Sequence, residues 1–432
     1  MPRHRSARRA SLRATALACV LLLAACSSGG GPQPPSRTTS GTSASPSVTS
    51  TPTETPTKSP SKPPSKPTSR PTTTTKPTTK PRPPTRTTPP PLAGWPLEQK
   101  VGQLFMVGVD VHNLGHDAYD AIRDRHVGNV FLAGRTEAGR QPVHNLVTWY
   151  TGLVSARTTH GTPLFVATDQ EGGQVQVLRG PGFSDLPNAL DQAILAPATL
   201  QANAKTWGTE LALAGVNLDL APVMDLVPGT AAASKNPPIV ALNRNYGYTL
   251  DSVTSHANAF SAGLESAGVE VSIKHFPGLG RVSANTDTSA GVTDTVTTRG
   301  GASVQAFRSG ITAGAGVVMT STAMYTRIDP GVPAAFSPVV VGDVLRGDLG
   351  FRGVVISDDL SAATQVLAWS PAQRAIKTID AGGDIVLVSR DPTVAPQMVD
   401  AVVAHARVNP AFAKKVDAAV LRVLAAKSRL TH

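Results

Sequence analysis

Beyond residue 91 the chain alternates between short β-branched apolar runs and longer stretches whose apolar residues recur at helical spacing. Eight runs read as strands: Leu104–Val109, Val127–Ala133, Pro163–Thr168, Leu218–Val223, Val269–Lys274, Gly316–Thr322, Gly353–Ser357 and Asp384–Ser389. Between most of them lie amphipathic stretches, among them Ala198–Ala214, Ser252–Ala267 and Ser370–Ala381. Short strand runs separated by helical patterns imply parallel strands joined by helical crossovers, and eight of them imply closure. The expected fold is α/β, a single (β/α)8 barrel of the TIM type over residues 92–432. Two closing helices follow Asp391, and neither an internal repeat nor a second domain is expected.

The pattern fails completely before residue 92. Arg3, Arg5, Arg8, Arg9 and Arg13 precede an apolar run from Ala14 to Leu22, too short to span a bilayer as a helix. Leu23-Ala24-Ala25-Cys26 then resembles the lipobox of bacterial lipoproteins. Residues 1–25 are therefore expected to be a lipoprotein signal peptide, with Cys26 as the lipidated first residue of the mature chain. Residues 26–91 are nearly all Pro, Thr, Ser and Lys, a composition that buries too little apolar surface to offset its ordering entropy. Its prolines keep such a segment extended, as a disordered spacer. The implied location is extracytoplasmic, anchored to the outer face of the cell membrane, with the spacer reaching into the wall.

Charge follows the same division. The formal net charge is +11, yet 14 of the 40 Lys and Arg residues lie before residue 92, against one acidic residue, Glu54. The remainder of the chain is slightly negative, so nucleic-acid binding by the folded part is not expected. Both cysteines, Cys19 and Cys26, sit in the leader, leaving the barrel without disulfide or thiolate metal ligand.

Polar and glycine-rich stretches mostly follow strands, which gathers them on the carboxyl-end rim where barrels do their chemistry. Asp358 stands at the end of a buried strand between Ser357 and Asp359, a position suited to a desolvated nucleophile. The alternative is a helix cap, the role expected of Asp359. Lys274 and His275 end another strand; they would bond sugar hydroxyls, or else Lys274 pairs with an internal carboxylate and His275 is a satisfied core residue. Asp169 could accept from two hydroxyls, and Glu171 is expected to pair with a cation inside the barrel. Arg244 is a substrate-binding residue or a surface ion pair.

Four runs together resemble glycoside hydrolase family 3, particularly the bacterial β-N-acetylglucosaminidases of peptidoglycan turnover. They are Asp169-Gln170-Glu171-Gly172-Gly173, Ala221-Pro222-Val223-Met224-Asp225, Lys274-His275-Phe276-Pro277-Gly278 and Ser357-Asp358-Asp359-Leu360-Ser361, in the family's order. The resemblance implies a retaining β-N-acetylhexosaminidase without metal or organic cofactor, acting as a monomer on a glycan. Asp358 falls on the family's nucleophile, and Asp169, Arg244, Lys274 and His275 fall on its sugar-binding positions.

The likeness breaks at the site itself. The Asp-Ser-His run that supplies the family's acid/base is Asn285-Thr286-Asp287 here, and no histidine occurs between His275 and His405. Asp287 is the candidate acid/base, with Asn285 orienting it or capping the loop. A sugar-binding arginine appears as Val177, for which Arg179 is the nearby substitute. The alternatives left open are a catalytically weakened glycan-binding lipoprotein, a glycoside phosphorylase and a β-glucosidase.

Overall fold

A computed structural model describes residues 92–430 of the chain. The expected signal peptide, Cys26 and the expected spacer lie outside the described residues.

Eight strands form one parallel sheet: β1 Phe105–Asp110, β2 Asn129–Ala133, β3 Phe165–Thr168, β4 Leu218–Asp219, β5 Glu270–Phe276, β6 Val317–Thr320, β7 Val354–Ser357 and β8 Val386–Val388. Their order is β7-β6-β5-β4-β3-β2-β1-β8. The ends of that series meet at an Ile356–Ile385 bridge, closing the barrel with β7 and β8 at the seam. A helix follows each strand in turn: α1 His116–Arg125, α2 Arg140–Thr151, α3 Pro197–Leu213, α4 Leu250–Ser266, α5 Ala302–Ala313, α6 Val339–Asp348, α7 Pro371–Asp380 and α8 Ala395–Val408. The last helix, α9 Pro410–Lys427, completes the expected closing pair with α8. Most strands read as largely apolar runs because the barrel packs both of their faces, with the polar residues concentrated in β4 and β5; nearly all strand residues are buried.

Each of the eight expected strands is present, although β4 is shorter than the Leu218–Val223 run predicts. Pro222 has no N–H for the ladder, so regular pairing stops before it. The chain keeps its course through single bonds: the Lys274 N–H donates to the Pro222 carbonyl at 3.1 Å and the Met224 N–H to the Lys274 carbonyl at 2.7 Å. In β5 the register against β6 shifts between Ile273 and Phe276. Such irregularities re-aim side chains, and here the two consecutive residues Lys274 and His275 both reach the cavity above the strands. Among the described residues no helix is long and apolar enough to cross a membrane.

Candidate active site

A cavity of about 670 Å³ opens at the carboxyl ends of the strands. Its wall includes Asp169, Arg244, Lys274, His275, Asp287 and Asp358, six candidates that lie as far as 189 positions apart along the chain.

On one side is a compact ion cluster. The Lys274 ammonium donates to Asp169 Oδ1 at 2.6 Å and pairs with Glu171 Oε1 at 2.6 Å. Arg244 clamps Glu171 bidentately, Nε to Oε2 at 2.9 Å and Nη2 to Oε1 at 2.8 Å. Burial alone would push the Glu171 carboxyl up, but Arg244 and Lys274 together hold it well below the usual range. Burial pulls the Lys274 amine down; Asp169 and Glu171 more than reverse that and raise it. Lys274 is thus both internally paired and cavity-lining, and Arg244 is no surface ion pair. A cluster so satisfied holds Asp169 and Arg244 rigidly, with Asp169 still 29% exposed to accept from a ligand.

Beneath the cluster, burial pushes the Asp219 carboxyl up to about 8, the opposing bond from the Gln170 N–H notwithstanding. His275 is gripped by Asp225, a residue the sequence offered only as the end of a motif. Asp225 Oδ2 faces His275 Nδ1 at 2.7 Å, and its Oδ1 accepts the backbone N–H of both His275 and Leu279. The turn that follows is held by Tyr325, whose hydroxyl donates to the Gly278 carbonyl at 3.0 Å. Gly278 sits at φ +128°, where a side chain would strain the backbone.

Asp358 closes the floor. Its backbone N–H donates to the Thr320 carbonyl at 2.9 Å, fixing it to the end of β6. Burial raises its carboxyl to about 6; His275 pulls it down and the charge of Asp287 pushes it up. A desolvated carboxylate beside a cavity lined with sugar-type hydrogen-bonding groups can act as nucleophile toward an electrophilic carbon.

Asp287 reaches the same cavity from the loop after β5, its side chain 38% exposed and its Oδ2 3.8 Å from Arg390 Nη1. Asn285 caps that loop by accepting the Asp287 N–H at 2.9 Å.

Two expectations need correction. Arg179 does not line the cavity. Its guanidinium is satisfied by Asp185 at 2.6 Å and the Gly173 carbonyl at 2.5 Å, while Val177 faces the cavity instead. Asp359 caps no helix, since α7 has its own capping box from Ser370 and Gln373. Buried, Asp359 accepts from the backbone of Ala362 and from the backbone and hydroxyls of Ser361 and Ser389, bracing the loop after β7 against the end of β8.

The cavity also contains Arg135 and Arg390, which the sequence reading passed over. Both stand just past the carboxyl end of a strand, a position that would have singled them out.

Closed parallel barrel, half-buried strand-end carboxylate and braced cation cluster together define a barrel glycosidase. The glycosyl hydrolase family 3 N-terminal domain matches residues 96–426, and the chain belongs to that family, as a glycoside hydrolase. It is 33% identical over 305 residues, 69% of this chain and 85% of the relative, to a β-hexosaminidase of Stenotrophomonas maltophilia (strain K279a). Among solved structures, a β-N-acetylhexosaminidase from Beutenbergia cavernae DSM 12333 is 62% identical with a TM-score of 0.77, covering 77% of this chain and 98% of that one. A family 3 β-N-acetylglucosaminidase from Paenibacillus sp. str. FPU-7 is 30% identical with a TM-score of 0.70, covering 77% and 62% respectively.

Proposed function

We propose that the chain is a retaining β-N-acetylhexosaminidase that releases terminal β-linked N-acetylglucosamine from peptidoglycan-derived fragments. The observation that carries this reading is the half-buried Asp358 carboxylate in the cavity that Asp169, Arg244, Lys274 and His275 also line. The relatives named for the same activity supply the sugar.

In the first half-reaction an Asp358 oxygen bonds to the anomeric carbon as the glycosidic C–O bond breaks, and the departing oxygen takes a proton from Asp287. In the second, water attacks that carbon, gives its proton to Asp287, and the bond to Asp358 breaks to restore the carboxylate. Asp169, Arg244, Lys274 and His275 hold the sugar hydroxyls.

The test is product analysis on an aryl N-acetylglucosaminide. A 5-fluoro N-acetylglucosaminyl fluoride, which keeps the 2-acetamido group, should add its mass to a peptide containing Asp358; labelling of any other residue overturns the assignment. Saturable binding without turnover on even activated aryl glycosides would favour a glycan-binding protein, and sugar phosphate as product would favour a phosphorylase.

The leader supports a surface-tethered enzyme, lipidated at Cys26 on the outer face of the membrane and carried into the wall by its proline-rich spacer. The wild type should then incorporate labelled fatty acid and Cys26→Ala should not; a wild-type chain that takes up no label overturns the anchor.

A further inference from the structure

The loop that carries Asp287 is built from small and polar residues, Ser283 through Gly291, and has little apolar surface with which to fix its own position. Hydrogen bonds from the segment just beyond Asp358 fix it instead. Thr364 donates twice to the Asp287 carbonyl, from its backbone N–H at 3.1 Å and its Oγ1 at 2.9 Å. The Gln365 N–H donates to the Thr286 carbonyl at 3.0 Å. The Gln365 amide then brackets Val292, accepting its N–H at 2.8 Å and donating to its carbonyl at 3.1 Å. Gln365 is buried, and neither it nor Thr364 lines the cavity. At the loop's other root, Asn236 donates to the Leu279 and Val282 carbonyls at 2.7 and 2.9 Å.

One short segment therefore carries the nucleophile at its start and grips the acid/base loop at its end. Asp359, bonded to Ser389, prevents that segment from swinging as a whole. Misplacing a reacting group by about 1 Å costs about 100-fold in rate, so the separation of the two carboxylates has to be fixed. We propose that Thr364 and Gln365 are positioning residues, which set Asp287 against Asp358 through the main chain of its loop and touch no substrate. This inference rests on Asp287 being the acid/base.

The experiment compares kcat/KM on two substrates. A dinitrophenyl N-acetylglucosaminide has a leaving group that needs almost no protonation, whereas the β-1,4-linked N-acetylglucosamine disaccharide needs a full proton. Thr364→Val and Gln365→Leu should lower kcat/KM on the disaccharide by about 10-fold or more and on the dinitrophenyl substrate by less than about 2-fold. Thr364→Ser, which keeps the hydroxyl, should recover most of the loss. Equal losses on both substrates, or no loss, overturn the proposal, and the near-isosteric threonine variants keep it testable should Gln365→Leu fail to fold. Asp287→Ala runs alongside. If it lacks the leaving-group dependence, the acid/base assignment falls and the positioning role with it; if it has that dependence and the Thr364 and Gln365 variants do not, only the positioning role falls.

Discussion

Asp225 holds His275 at two points, its Oδ1 accepting the backbone N–H at 3.1 Å and its Oδ2 facing ring Nδ1 at 2.7 Å. An acceptor-only carboxylate assigns the proton of a neutral ring to Nδ1, leaving Nε2 toward Arg244 Nη2 at 3.4 Å. Asp225→Asn can keep the backbone bonds through its carbonyl but then turns an NH2 toward Nδ1. The tautomer reverses, and Nε2–H confronts a guanidinium donor. Turnover should fall by about 10–100-fold, the range seen when the partner that orients a metal-bound imidazole is removed, with little change in melting temperature. An unchanged rate would remove any role for this pair in catalysis.

Asp358→Asn should be more stable than the wild type while losing turnover. The raised carboxyl makes the folded state the stronger proton binder between about pH 4 and 6, so the wild type loses stability as pH rises through that window and carries the whole penalty above it. The amide carries no such penalty. A gain of a few degrees in melting temperature is expected at pH 7.5 and a smaller one at pH 4.5. A lower melting temperature at pH 7.5 would contradict the desolvation account.

Turnover needs Asp358 ionised, so kcat/KM should fall on the acidic side with an inflection near pH 6. The inflection belongs to the Asp358–Asp287 pair rather than to one residue. Because the charge of Asp287 raises Asp358, Asp287→Asn should move the acidic limb to lower pH. A limb that stays in place in the variant would mean the two carboxylates do not interact.

Glu171→Gln leaves Arg244 and Lys274 in the barrel without the carboxylate that lies between them. Removing one partner of a buried pair costs about 3–5 kcal/mol, measurable as a lower denaturant midpoint. Arg244 should also lose its alignment, raising KM. A variant as stable as the wild type would show that Asp169 alone compensates Lys274.

Arg179→Ala should leave KM unchanged, since that guanidinium is spent on Asp185 and Gly173. A KM raised several-fold would return Arg179 to the sugar site.

The barrel was readable because strands packed on both faces are largely apolar, and each of the eight runs stands out against its polar and helical flanks. The site was readable where chemistry coincides with a strand end: Asp358, Lys274, His275 and Asp169 each terminate an apolar run. Arg179 failed because proximity along a loop says nothing of which carboxylate a guanidinium will find first. Asp359 failed because a carboxylate just past a strand end, with a serine two places on, looks the same whether it caps a helix or bridges two strands. Asp225 and Gln365 act through groups 50 and 73 positions away, a separation that no local pattern encodes.

The barrel's seam lies between the strand that delivers Asp358 and the last strand of the sheet. The Ser357 hydroxyl accepts the Leu387 N–H at 3.0 Å across that seam, one residue from the nucleophile. Completing the cylinder and completing the reaction centre are consequently one event. Any chain cut short before residue 385 leaves the nucleophile on an open edge, so hydrolysis doubles as a readout of whether the whole polypeptide has arrived and closed.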